Sequence, residues 1–128
     1  MQMTDMIDLV QQRADIESQQ TANDTLLAVA ETLAERDIDG AQANFAAQLP
    51  KELGAVVNMG DTKTQSTFDA EEFVTRVGSK LELSEAQSRK HTHAALSAMV
   101  DGVSDGERVD ILNALPADFT PYATWNGG

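Results

Sequence analysis

Cysteine is absent from the 128 residues, which excludes disulfide frameworks, thiolate zinc sites and cysteine nucleophiles. No apolar run exceeds a few residues, so no segment reads as a membrane span. Residues 1–8 are acidic and lack the basic start and apolar stretch of a secretory signal, and the expected location is cytoplasmic. Basic residues are few and scattered, nine Lys and Arg in all, whereas phosphate neutralisation needs a clustered basic face; this argues against nucleic acid. A Gly-rich phosphate loop, a Gly-x-Ser-x-Gly elbow and a His-Glu-x-x-His pair are all missing. Large aromatics are rare: one Trp, one Tyr and four Phe.

What is abundant is acid. Twenty-one Asp and Glu against nine Lys and Arg give a formal charge of −12, with aspartate ahead of glutamate, lysine scarce and alanine plentiful. Such a surface attracts basic partners or cations. It is also the signature of cytoplasmic proteins in salt-accumulating cells, where molar salt shortens the Debye length to about 3 Å and carboxylate repulsion becomes tolerable. The second explanation is preferred. At 13.8 kDa the chain has the size of one domain and can bury roughly two thirds of its unfolded surface.

The chain aligns with itself. Met6-Ile7-Asp8-Leu9-Val10 matches Phe73-Val74-Thr75-Arg76-Val77 at an offset of 67, that is 73 minus 6. After Ile16, opposite Leu83, one residue is lost, so that Val29, Ala30 and Leu33 face Ala95, Leu96 and Met99. Under the same shift Asp39-Gly40 faces Asp105-Gly106, and Gln48-Leu49-Pro50 faces Ala114-Leu115-Pro116.

Each copy reads as helices. Met6, Leu9 and Val10, then Leu26, Val29, Ala30 and Leu33, recur three and four apart along one helical face. Capping boxes are expected at Asp69 with Glu72, Ser84 with Gln87, and Ser104 with Glu107. Gly40 and Gly106 are placed in turns between second and third helices. Pro50 and Pro116 end the third helices and open short fourth ones over 50–57 and 116–123. The expected fold is all-α, about eight helices in two tandem four-helix repeats related by a pseudo-two-fold. Repeat one spans 1–57, a polar linker 58–67 and repeat two 68–125, in one compact unit, with the tail fraying after Trp125. The expected core is Leu9, Val10, Leu26, Val29, Leu33, Phe45, Leu49 and Leu53 in the first copy. In the second it is Phe73, Val77, Ala95, Leu96, Met99, Ile111, Leu115 and Phe119.

The matched residues also carry a family likeness. An apolar helix, a long alanine-rich helix, an Asp-Gly turn and a short helix ending in Gln-Leu-Pro resemble the bacterial and archaeal family of domain of unknown function 2267. The resemblance is strongest over 26–53, at Ala34-Glu35-Arg36 and at Phe45-Ala46-Ala47-Gln48-Leu49-Pro50, and over 73–119; it extends across 5–122. The chain looks like an acidic, haloarchaeal-like member. Ile38 stands where the second copy has Ser104, and arginines are thinned. The resemblance implies an all-α fold of paired repeats and no activity.

His91 and His93 lie two apart, about 200° around a helix, and so do not present one metal from one face. Asp37-Ile38-Asp39-Gly40 and Asp101-Gly102-Val103-Ser104-Asp105-Gly106 invite a calcium loop. Counted from either glycine, however, the twelfth position is Ala46 or Leu112 instead of glutamate. Both read as helix-to-helix turns. Glu71, Glu72, Glu82 and Glu85, and Asp5 with Asp8, read as solvated faces, and Arg76, Lys80, Arg89 and Lys90 as cations pairing locally with Glu72, Glu82 and Glu85. No catalytic, cofactor or metal residue is assigned, and an enzyme is the weakest of three readings. The leading one is a non-catalytic interaction or scaffolding module, with a protein partner or self-association, and Tyr122 and Trp125 as candidate contacts. The alternative is a small-ligand or ion-binding protein with its site between the copies.

Overall fold

Four short polar side chains set the helix starts. The Ser18, Asp69, Ser84 and Ser104 side chains each accept from the backbone N–H three residues on. In the computed structural model, which describes residues 1–38, 40–60 and 63–126, these caps open four of eight α-helices. They are α1 Met3–Ala14, α2 Gln19–Glu35, α3 Gln42–Gln48, α4 Lys51–Val57, α5 Ala70–Leu81, α6 Glu85–Asp101, α7 Asp105–Ala114 and α8 Thr120–Ala123. Asp39 of the first acidic turn, Asp61 and Thr62 of the 58–67 segment, and Gly127 and Gly128 lie outside the described residues. No strand forms among the described residues; one isolated bridge pairs Arg36 with Ser66. Ser84 and Gln87 complete a reciprocal capping box. At Ser104 only the serine side operates, because the Glu107 carboxylate is turned inward.

Helix ends recur along the chain. α1 and α5 both run 12 residues and close on a left-handed residue, Asp15 at φ 59° and Glu82 at φ 56°. Ile16 N–H then bonds Gln11 O, and Leu83 N–H bonds Gly78 O, the six-to-one closure of a Schellman turn. α2 and α6 both run 17 residues.

The fourth helices diverge. Pro50 is the cap of α4 and not its first residue, and Pro116 caps a 3-10 turn, Ala117–Phe119, before α8 begins. Pro121 is the cause: it has no N–H for the Ala117 carbonyl, which instead takes the tighter i→i−3 bond from Thr120 N–H. Gly40 has φ +80° and occupies a turn, as expected, whereas Gly106 lies in the first turn of α7. Ser104 starts that helix early enough to absorb the glycine.

α2 and α6 pack against each other at the centre. α1 lies on both α2 and α6, and α5 likewise lies on both α6 and α2. Each half therefore covers the long helix of the other. From Thr92 to Val100, α6 is buried on nearly every side, and its alanines 94, 95 and 98 let neighbours approach closely. The expected core residues are buried with one exception: Leu9 is only half-buried, because Met6, Val10 and Ala14, four apart, take the inner face of α1. Backbones also meet closely. A Cβ on Gly54 in α4 would collide with the Ala46 carbonyl of α3.

A cation is built into this interior. Arg36, 5% exposed at the end of α2, donates from Nε to Phe68 O (2.8 Å) and from Nη1 to Asp37 O. Its guanidinium lies 4.9 Å from the Phe119 ring centroid, and Phe119 meets Phe73 edge-on at 5.5 Å. Burial lowers its pKa from the ordinary arginine value, opposed by the fields of Asp118 and Asp37.

Candidate functional site

The outward residues of α2 recur at helical spacing: Asp24, Leu27, Glu31, Ala34 and Glu35. Opposite them α5 presents Arg76, Lys80 and Leu81, and the space between is a trough made of three adjoining depressions. The largest, about 550 Å³, has Ala34, Val56 and Met59 as apolar lining and Glu31, Glu35 and Arg76 as charged lining. Glu31 also borders the middle depression of about 260 Å³, with Asp24, Leu27, Lys80 and Leu81. Asp24 and Leu81 continue into a third of about 170 Å³, which reaches Leu83 and His91. The largest of the three, the basin, draws on both halves of the chain. A separate open groove of about 510 Å³ lies at the α5–α6 turn, bordered by Val74, Leu83, Glu82 and Glu85.

Gln65 and Ser66 are pinned beside the basin. The Gln65 side-chain amide donates to Ala34 O (3.0 Å) and to Gln42 Oε1 (2.7 Å). Gln42 in turn donates to Val57 O (2.8 Å), and Ser66 N–H bonds Glu35 O. This places Met59, 78% exposed, at the rim. Sequence reading overlooked Met59; the available signal was a large apolar residue inside a polar stretch.

Charges in the trough are unevenly matched. Glu35 receives Lys80 Nζ at 2.9 Å and Arg76 Nη1 at 3.2 Å, and Lys80 also donates to the buried Thr32 hydroxyl at 3.0 Å. Arg76 bonds Glu72 at 2.8 Å and lies 3.8 Å from the Phe68 ring centroid; the Glu72 bond is the main reason its pKa is raised. A counterpart lies across the molecule, where Arg13 of α1 bonds Asp101 of α6 at 2.8 Å and the Ser97 hydroxyl at 2.9 Å. In both places a last-turn cation of a short helix reaches the last-turn acid of the other half's long helix. Asp24 and Glu31 take no part in the ion pairs of the described residues; Asp24 accepts only from the Gln20 amide, at 2.9 Å.

The residues singled out from sequence fall elsewhere. Tyr122 is partly buried, and its hydroxyl accepts from Arg89 at 2.8 Å. Trp125, also partly buried, lies 4.6 Å from the His93 ring and 5.1 Å from the Arg13 guanidinium. Both aromatics are thus used in fastening the C-terminal segment to α6 and α1. His93 Nε2 is 2.7 Å from Thr124 O, whereas His91 faces α2, with Nδ1 3.4 Å from the Thr25 hydroxyl. Burial, then Lys90, lowers the His91 pKa.

Arg89 binds Glu71 at 2.7 Å and Glu85 at 2.6 Å, and these bonds raise its pKa while depressing that of Glu71. Local pairing of the cations therefore reaches Glu72 and Glu85, as expected. Glu82 instead closes α5, and Glu35 and Glu71 complete the partners. Among the described residues no three His, Asp or Glu side chains gather as a metal-binding set, and no helix is long and apolar enough to cross a membrane.

Glu107 is the unusual acid. It is 6% exposed, its Oε1 has no hydrogen-bond partner, and burial, then Asp110, raises its pKa.

The family model described as "Uncharacterized conserved protein (DUF2267)" matches residues 4–122. No curated protein matches the chain.

Proposed function

Starting from the chain's membership of the uncharacterised DUF2267 family, we propose that it is a non-catalytic interaction module. Its partner engages the trough between α2 and α5. The observation that carries this is Met59, a flexible apolar side chain 78% exposed beside the apolar walls of Ala34 and Val56, at the rim of a basin of about 550 Å³. Exposed methionine on such a rim suits adaptable packing against another protein. The family match carries no chemistry, and the reading rests on the surface alone.

The module is further proposed to be two copies of one unit, related by a pseudo-two-fold. In support, α1 at residue 3 and α5 at residue 70 begin 67 apart, and α2 at 19 and α6 at 85 begin 66 apart. The mutual covering of α2 and α6 and the paired Arg13–Asp101 and Lys80–Glu35 bridges support the same relation. The net charge of −12 supports a salt-rich cytoplasm as its setting. A small ligand in the basin is the second reading, favoured by its shared lining from both halves; against it, the lining cation Arg76 is already bonded to Glu72 and Glu35.

The test is affinity capture in molar salt with wild type and Met59→Asp. Proteins retained by wild type and lost by the variant identify the partner. Identical retention by the two would overturn the reading.

A further inference from the structure

We propose that the occupant of the trough is a basic amphipathic helix of another protein, carrying two cations seven residues apart with leucine-like side chains between them. This rests on the interaction-module reading and adds the chemistry of the partner.

Asp24 and Glu31 are seven residues apart on α2, about 10.5 Å along the axis at 1.5 Å per residue. Between them Leu27 is only half-buried, and Leu81 and Leu83 are half-buried across the trough. The middle depression therefore carries an acid at each end with Leu27 and Leu81 between them, and Leu83 continues the apolar lining beyond Asp24. Lys80, the one cation bordering the middle depression, is held by Glu35 and Thr32. The charges of Asp24 and Glu31 thus remain available to an incoming chain, unlike those of Glu35, Asp101, Glu71 and Glu85.

A groove between two helices accepts a third whose anchors recur at three, four and seven residues, which gives the partner the same seven-residue spacing. A second copy of this chain does not fit. No two Lys or Arg within one of its helices are seven residues apart, and it carries the same net charge of −12.

The probe is a labelled synthetic peptide with lysines seven residues apart and leucines between, followed by fluorescence anisotropy at low and molar KCl. A scrambled peptide of equal composition corrects for general attraction to an acidic protein. Asp24→Lys/Glu31→Lys is compared with Asp8→Lys/Glu52→Lys, which makes the same charge change at exposed sites away from the trough. All four positions are exposed, and circular dichroism checks that both variants remain folded.

The trough reversal is expected to weaken binding at least about tenfold and the control reversal by less than about threefold, since like charge opposes docking only where it is juxtaposed. The scrambled peptide should bind more weakly than the designed one in molar salt. Equal weakening by the two variants, equal affinity for both peptides, or no binding overturns the proposal. The two readings fail differently. If Met59→Asp abolishes partner retention while Asp24→Lys/Glu31→Lys leaves it intact, the basic-helix chemistry falls and the module stands. If Met59→Asp changes nothing, the module itself falls.

Discussion

Arg36 offers a quantitative test of how the interior is held. Replacing it with methionine keeps an unbranched stem but removes the guanidinium that bonds the Phe68 and Asp37 carbonyls and faces Phe119. Each carbonyl left without its donor costs about 1–3 kcal/mol, and the lost ring contact adds about 1 kcal/mol. Relief from holding a charge away from water offsets part of this. That penalty follows from the burial of Arg36, which also lowers its pKa. A net loss of about 3 kcal/mol follows, a large share of the 5–15 kcal/mol that typically holds a domain. With a urea dependence of about 1.5 kcal/mol per M, the midpoint should fall by about 2 M. The assay is urea unfolding in molar KCl, followed by circular dichroism. Arg36→Lys, which keeps the charge and loses the fork, should lie between wild type and Arg36→Met, while Lys51→Met on the exposed side of α4 should not move the midpoint. A midpoint for Arg36→Met within about 0.3 M of wild type would refute the reasoning.

Three further outcomes are expected. Gly54→Ala should gain up to about 1 kcal/mol of helix propensity, yet lower the melting temperature, because its Cβ meets the Ala46 backbone carbonyl, which cannot swing aside; a higher melting temperature would disprove the close approach. Glu107→Gln should stabilise the protein by about 1 kcal/mol at neutral pH. The raised native pKa means that the folded state holds the Glu107 proton more tightly than the unfolded state. The wild-type penalty is therefore full above the native pKa and vanishes below the unfolded value near about 4, and the two urea curves should converge there. Lowering KCl from molar should reduce the melting temperature, since the charge of −12 then repels itself over a longer range; a constant value would count against the salt-adapted setting.

Helical period and short polar caps made most of the fold legible. Leu26, Val29 and Leu33 declare their face by spacing, and Ser84 with Gln87 announces a helix start without reference to the rest of the chain. What escaped depends on distant partners. Arg36 reads as an ordinary surface cation until Phe68 and Phe119, 32 and 83 residues further on, close around it. Leu9 and Met6 are equally apolar, and only the position of α6 decides which of them turns inward. Pro121 was visible, but its effect needed the register of the last helix. The trough was hidden for the same reason. Asp24 and Glu31 resemble every other acid of an acidic protein until Lys80 is seen bonded to Glu35. Tyr122 and Trp125 drew notice as rare aromatics, whereas the most exposed large apolar side chain among the described residues is Met59, ahead of Val109 and Met1.

The mutual covering of the two long helices bears on how the chain is made. α1 leaves the ribosome before α6, on which it packs; Ser97 and Asp101 of α6, which Arg13 reaches, lie 84 and 88 residues downstream of that arginine. Met6 and Val10 thus wait for α6 to emerge before their lining is complete, and so does the inner side of α2. Synthesis from the N-terminus usually lets early units settle first; here the later helix α6 is the template on which the earlier α1 and α2 complete their packing.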